Sequence, residues 1–116
     1  MNKLIKNNII LIKKSKFLTF LYEIDNLEEI KEIINNLKIE HKKATHICYA
    51  YKIGVNAKYF DDGEPAGTAG KPIFNVIEKK NLNNVLIIVI RYFGGIKLGA
   101  GGLFRAYSNC ASEILK

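Results

Sequence analysis

The 116-residue chain is about the size of one ordinary domain, so we expect a single hydrophobic core. Its 48% hydrophobic and 25% charged residues exclude a disordered or fibrous protein, and the longest apolar run, residues 85–90, is too short to cross a bilayer. The start carries no cleavable hydrophobic signal. A net charge of +7 favours an acidic partner, although the abundance of lysine, isoleucine and asparagine is also typical of AT-rich codons. We therefore predict a cytoplasmic protein with no membrane partner.

The two cysteines indicate neither a disulfide framework nor a zinc site. Cys48 and Cys110 lie within apolar patterns and show no Cys-x-x-Cys or Cys/His spacing. His46 is two residues from Cys48 on a predicted strand, which places both side chains on one face. That spacing is more typical of a core histidine and a core thiol than of a nucleophile pair, so we assign no catalytic residue.

The first part of the chain predicts a β-hairpin followed by a helix. Residues 1–16 contain an apolar run and end in a basic turn at 13–16, and residues 17–23 form a second strand. After Asp25 or Asn26 as the N-cap, acidic residues occupy the first helical turns and lysines lie at or beyond the end. The residues that recur at helical spacing are Leu27, Ile30, Ile33, Ile34 and Leu37.

The middle of the chain predicts one strand, a long loop and a second helix. Residues 45–52 alternate like a strand, which we expect to pair next to the hairpin. Residues 54–70 are glycine-rich and acidic and predict little regular structure beyond turns, and loops of this length are usually functional sites or lids. Thr68 is a candidate cap for a helix that has Pro72 in its first turn and ends near Lys80.

The last third predicts a central strand and a terminal helix. Residues 85–92 are too consistently apolar for a strand with a solvated face, so this strand should lie centrally in the sheet. A glycine loop then leads to a helix whose inner face is Leu103, Tyr107, Cys110 and Ile114. The order β-β-α-β-α-β-α predicts an α+β fold, with the helices packed on one face of a four-stranded, mostly antiparallel sheet.

The acidic segment, residues 61–72, contains three carboxylates within four residues. Asp61, Asp62 and Glu64 suit a hard cation such as Mg²⁺, or general acid and base chemistry. The competing interpretation is an Asp-Gly turn whose carboxylates are solvated or pair with Lys71. No ligand histidine accompanies them, so we expect no cofactor and at most weak magnesium binding.

Gly70 and Lys71 lie at the start of the predicted second helix. They do not end a Walker loop, since Pro65 and Pro72 stand where that motif needs a glycine and a hydroxyl residue. A weaker hypothesis survives, because free N–H groups and the positive end of the helix dipole at this point would bind an anion.

The glycine segment, residues 91–105, combines cations with backbone freedom. Arg91, Lys97 and Arg105 could neutralise phosphate on one cationic surface, and the neighbouring aromatic residues could stack on a base. A dinucleotide fingerprint is excluded, because Phe104 stands where its third glycine would be. The competing interpretation is that the glycines serve turns and close packing. The glycines that would let a ligand approach the backbone are Gly94, Gly95, Gly99, Gly101 and Gly102.

The two segments are expected to converge. A strand that leaves the second helix runs back beside it, so its end returns to the level of that helix's N-terminus. We therefore predict that any bound phosphate sits between residues 67–71 and 94–102, with the acidic carboxylates at the rim.

Two long motifs carry a family resemblance. Residues 61–72 (DDGEPAGTAGKP) and 91–107 (RYFGGIKLGAGGLFRAY), preceded by KSKF at 14–17 and ATHICYA at 44–50, resemble the YigZ/IMPACT family. The resemblance covers about residues 14–116 and implies the family's N-terminal domain, which is similar to the βαβ fold of ribosomal proteins and of domain IV of elongation factor G. It carries over no settled catalytic assignment. The family motifs fall on Asp61, Asp62, Glu64, Thr68, Lys71, Arg91, Lys97 and Arg105.

The resemblance also implies a role around translation. Eukaryotic IMPACT proteins restrain the stress kinase pathway that senses uncharged tRNA, and bacterial members have been suggested to bind nucleic acid. Bacterial members usually continue into a second domain, so we expect residues 1–116 to be a single N-terminal-type domain without that C-terminal domain.

Three functions stay open at this point, and so does the oligomeric state. The first is a translation-associated module that contacts RNA or the ribosome through the basic glycine loop. The second is a protein-only regulator of a translational stress pathway, with a translation-related protein partner. The third is an enzyme acting on a phosphorylated small molecule, although no catalytic constellation is recognisable.

Overall fold

Residues 3–116 form five strands and three helices. A computed structural model describes residues 3–116; the first two residues of the predicted segment 1–16 lie outside the described residues. The predicted α+β fold and its antiparallel sheet are confirmed. The elements are β1 (Lys3–Ile12), β2 (Ser15–Glu23), α1 (Leu27–Glu40), β3 (His46–Ile53), β4 (Asn56–Phe60), α2 (Gly70–Lys79), β5 (Val85–Tyr92) and α3 (Gly99–Ile114).

The sheet has the order β1-β2-β5-β3-β4, with β5 in the centre. The central position predicted for residues 85–92 is confirmed. The prediction that residues 45–52 pair next to the hairpin is wrong, because β5 lies between β2 and β3 and is antiparallel to both. A strand that is apolar along its whole length is stable only when it is buried in the middle of a sheet. β5 therefore takes the central position and keeps β2 and β3 apart.

The sheet has five strands rather than the expected four. The additional strand, β4, pairs with β3 and forms an edge of the sheet within residues 54–70, which were predicted to hold only turns. All five of its residues are exposed. Because an exposed edge strand buries neither face, it lacks the alternation by which strands are recognised in sequence.

The helices cover both faces of the sheet, not one face as predicted. On one face, Ile87 and Val89 of β5 pack in a core with α2 and α3. On the other face, Leu86, Ile88 and Ile90 pack against the apolar side of α1. Successive side chains of a strand point to opposite faces, so a wholly apolar central strand requires a covering layer on each side.

Helices α1 and α2 begin in different ways. Asn26 caps α1, its side-chain oxygen accepting from the N–H of Glu29 at 3.1 Å. Thr68 does not cap α2, contrary to prediction, because its hydroxyl donates to the Pro65 carbonyl at 2.6 Å. Pro72 lies in the first turn of α2 as predicted.

No helix within residues 3–116 is long and apolar enough to span a membrane.

Candidate functional site

Glu64 is the centre of a buried polar cluster between the acidic segment, β5 and α3. Its side chain is 3% exposed, and both of its oxygens accept from Nη1 of Arg91, at 2.7 and 3.0 Å. The Tyr107 hydroxyl donates to the same carboxylate at 2.5 Å. Glu64 is therefore neither solvated nor paired with Lys71. Hydrogen bonds from Arg91 and Tyr107 replace the hydration that the carboxylate loses on burial.

Asp61 caps α2 from a distance. Its carboxylate accepts the backbone N–H groups of Gly67 at 2.9 Å, Ala69 at 3.1 Å and Gly70 at 2.8 Å. These groups lie at the positive end of the helix dipole, which a carboxylate stabilises. The Gly70 N–H, which was expected to be free for an external anion, is therefore occupied by this chain's own carboxylate.

Asp62 connects the acidic segment to β3. Its carboxylate accepts the N–H of Ile47 at 2.6 Å, and its carbonyl oxygen lies 2.7 Å from Nδ1 of His46. A carbonyl can only accept, so Nδ1 is the donor in this hydrogen bond. The three acidic side chains thus have three separate sets of partners. Residues 3–116 contain no group of three or more metal-ligating side chains that could hold an ion.

Cys48 and Tyr107 complete the cluster without supplying a nucleophile. The Cys48 sulfur lies 3.2 Å from the Asp61 carbonyl oxygen and 3.6 Å from the Tyr107 hydroxyl oxygen, and these two acceptors share its single proton. Burial raises the pKa of the Cys48 thiol and the pKa of the Tyr107 hydroxyl far above their ordinary values. Both groups are consequently neutral and structural, as predicted for a core thiol.

A cavity of about 380 Å³, which we call the Lys97 cavity, opens beside this cluster. The acidic segment contributes Glu64 and Pro65 to its wall, and the glycine segment contributes residues 97–100. The expected convergence is met only in part, because Glu64 and Pro65 line the cavity whereas Asp61, Asp62 and residues 67–71 do not. Asp61 instead accepts the N–H groups of Gly67, Ala69 and Gly70.

A second opening, the Arg105 groove, lies next to the Lys97 cavity. It has a volume of about 340 Å³, and Lys13 and Arg105 are both in its wall. Leu98 lines both openings, so they are adjacent. The single cationic surface predicted for Arg91, Lys97 and Arg105 needs correction, because Arg91 is buried and neutralised by Glu64 whereas Lys13 was missed.

Gly94 explains why the basic turn of the hairpin lies here. A Cβ at Gly94 would collide with the backbone carbonyl of Lys14, so only glycine permits this approach. The Gly94 N–H also donates to the Ser15 hydroxyl at 3.3 Å. The contact holds Lys13 and Lys14 against the glycine segment, and the run of basic residues at 13–16 was the sequence signal for them. Of the other glycines, Gly95 and Gly99 have positive φ, while Gly101 and Gly102 lie within α3.

The comparisons with known proteins agree with the family resemblance. Residues 13–115 match the family model described as the Impact N-terminal domain. The IMPACT family member YvyE of Bacillus subtilis is 50% identical over 109 residues, which are 91% of this chain and 50% of that protein. The chain spans about half the length of the curated bacterial relatives it matches.

Two solved structures resemble the fold. A crystal structure described as that of a hypothetical protein has a TM-score of 0.90 and 36% identity, and the match covers 98% of this chain and 60% of that one. The structure of the two-domain translational regulator Yih1 has a TM-score of 0.59 and 27% identity, and the match covers 93% of this chain and 44% of that one.

Proposed function

Since the chain belongs to the IMPACT family and carries its N-terminal domain, we propose that it is a translation-associated regulatory module that contacts RNA or the ribosome. A translation-related role is supported by the similarity to Yih1, which is described as a translational regulator. A cytoplasmic location belongs to the same proposal, because both cysteines are free, buried thiols of the kind that reducing compartments preserve.

The contact is assigned to a basic surface formed by Lys13, Lys14, Lys97 and Arg105. The observation that carries this assignment is the close approach of Gly94 to Lys14, which brings cations from the hairpin turn and from the glycine segment together. None of the four forms a salt bridge within residues 3–116. Uncompensated cations on one surface attract a phosphate backbone.

An exposed aromatic side chain adjoins this surface. Phe93 is 44% exposed, and it lies with Lys97 in the wall of the Lys97 cavity. Single-stranded nucleic acids are bound by this combination of cations that follow the backbone and aromatic rings that stack on bases. The arrangement therefore favours single-stranded RNA over an acidic protein surface.

The test is binding to ribosomes, tRNA and single-stranded RNA across a salt series. We expect log affinity to fall linearly with log salt concentration. The double variant Lys13→Glu/Arg105→Glu should bind at least roughly tenfold more weakly, with a salt slope smaller by about two.

A matched control is the variant Lys31→Glu/Lys80→Glu, which makes the same change in net charge at exposed positions away from the glycine segment. It should retain most of the affinity and the slope. Equal losses in the two variants would show that binding depends on net charge alone. Absence of binding by the folded parent chain would refute the RNA assignment and favour a protein-only regulator.

A further inference from the structure

The sheet ends in two edge strands, and only one of them is protected against pairing with another chain. β4, at one edge, is five residues long and carries Lys58. β1, at the other edge, is ten residues long and pairs only with β2 among residues 3–116. Short length and an edge lysine are common means of preventing strand addition. The outer row of backbone N–H and C=O groups of β1 is therefore open to another strand along a much greater length.

The second half of β1, residues 7–12, which we call the β1 edge, has none of the other usual protections. It consists of two asparagines and four aliphatic residues, with no charge, proline or glycine. The bulge of the strand and its two lysines, Lys3 and Lys6, all lie in the first half. An uncharged stretch rich in isoleucine at a free edge is a template for the addition of a further strand.

The β1 edge also exposes apolar side chains on one face of the sheet. Ile9 is 62% exposed and Leu11 is 71% exposed. Ile9 lies opposite Leu18 of β2, which packs against the core beneath α1, so Ile9 and Leu11 share that face. Neither belongs to that core. An added strand would bury both side chains without displacing any part of the domain.

The charge around the β1 edge indicates the chemistry of the partner. Residues 1–22 contain five lysines and no acidic residue. Lysines flank the edge on both sides, at Lys6 and at Lys13, Lys14 and Lys16, and the last three form no salt bridge within residues 3–116. A second copy of this chain, with its own net charge of +7, would bring like charges together. An acidic partner would be attracted.

The edge suits a polypeptide better than a nucleic acid. Residues 7–12 contain no cation to contact a phosphate and no aromatic ring to stack on a base. What they offer is backbone hydrogen bonding and aliphatic surface, which are the two features by which an exposed sheet edge binds an extended peptide.

We propose that the β1 edge binds an extended segment of another protein, with an apolar middle and acidic ends, which joins the sheet as a sixth strand. Main-chain hydrogen bonds to β1 hold the segment, and its apolar side chains pack on Ile9 and Leu11. Its acidic ends lie near the flanking lysines. The inference goes beyond the proposed function and does not rest on it.

Fluorescence anisotropy with a labelled synthetic peptide tests this docking. The probe alternates threonine and valine in its middle and has two glutamates at each end. We expect saturable one-to-one binding, and slower amide hydrogen exchange within residues 7–12 of the complex. The same peptide with lysines in place of the glutamates should bind at least about tenfold more weakly. The acidic peptide N-methylated throughout its middle should not bind, because it cannot donate main-chain hydrogen bonds.

Two variants locate the bound peptide. Ile9→Gln/Leu11→Gln replaces two exposed side chains, so folding is retained while peptide affinity should fall about tenfold. The matched control Val55→Gln/Tyr59→Gln replaces two exposed apolar side chains in and beside β4, at the opposite edge of the sheet. It should leave the affinity unchanged.

Several outcomes would overturn the proposal. They include no binding by the folded chain, equal binding of the acidic and basic peptides, and retained binding of the methylated peptide. Parental affinity in the β1 variant at the parental melting temperature would place the peptide elsewhere. Self-association of the parent chain that is lost in the β1 variant would assign the edge to a second copy. A loss of RNA affinity in that variant, without a loss of peptide affinity, would assign it to RNA.

Discussion

The buried ion pair between Glu64 and Arg91 makes the sharpest prediction about stability. Glu64→Gln removes the negative charge while retaining the shape of the side chain and an oxygen that can accept from Tyr107. It leaves Arg91 charged and buried, because the side chain of Glu64 is 3% exposed and that of Arg91 is 6% exposed. Breaking a buried pair by removing one partner costs about 3–5 kcal/mol, and the retained Tyr107 bond places the expected loss near 3 kcal/mol.

Urea denaturation and thermal melting followed by circular dichroism measure this loss. For a domain of 116 residues, we expect a melting temperature lower by roughly 10–15 °C. Glu78→Gln is the matched control, because it breaks an exposed 2.7 Å pair with Lys52 and should cost less than about 1 kcal/mol.

A double-mutant cycle separates the pair from general disruption. Glu64→Gln/Arg91→Met removes both charges, so its cost should fall short of the sum of the two single costs by about 2 kcal/mol or more. Additive costs, or a Glu64→Gln loss no larger than that of Glu78→Gln, would refute the account of a desolvated and mutually dependent pair.

Three further predictions test other parts of the structure. Asp61→Ala removes the remote cap of α2 and should cost about 2 kcal/mol in urea unfolding, with a smaller change contradicting the capping role. Gly94→Ala should be strongly destabilising, because the added Cβ would collide with the backbone of Lys14. Gly101→Ala lies within α3 and should be neutral or stabilising by up to about 1 kcal/mol. Similar effects of the two variants would contradict the close approach of Gly94 to Lys14. Burial raises the pKa of Cys110 from 9.0 to about 11, so the unfolded chain loses that proton first. The unfolding free energy should therefore fall as pH rises from 9 to 11, less steeply in Cys110→Ala; equal slopes would contradict the raised pKa.

Elements that bury a continuous apolar surface were predictable from sequence. The central position of β5 followed from its unbroken run of aliphatic residues, and the inner face of α3 followed from helical spacing. The same unbroken run also requires cover on both faces of the sheet, a consequence that the predicted one-sided arrangement missed. The exposed strand β4 carried no such signal.

The candidate site was less predictable, because its chemistry depends on partners distant in sequence. Glu64 meets Arg91 across 27 residues and Tyr107 across 43 residues. Nothing in the local pattern distinguishes such a carboxylate from one in a solvated Asp-Gly turn. The two motifs indicated which segments matter, but only the fold shows that Asp61, Asp62 and Glu64 have separate structural tasks.

The position of β5 also dictates when this domain can fold during synthesis. β5 is central in space but spans residues 85–92 of 116, and it supplies the pairing partners of both β2 and β3. The hairpins β1–β2 and β3–β4 therefore emerge from the ribosome before β5. Until β5 follows, the edges of β2 and β3 that pair with it remain unpaired. Because isolated two-stranded hairpins are at most marginally stable, most of the chain must be made before its sheet can form.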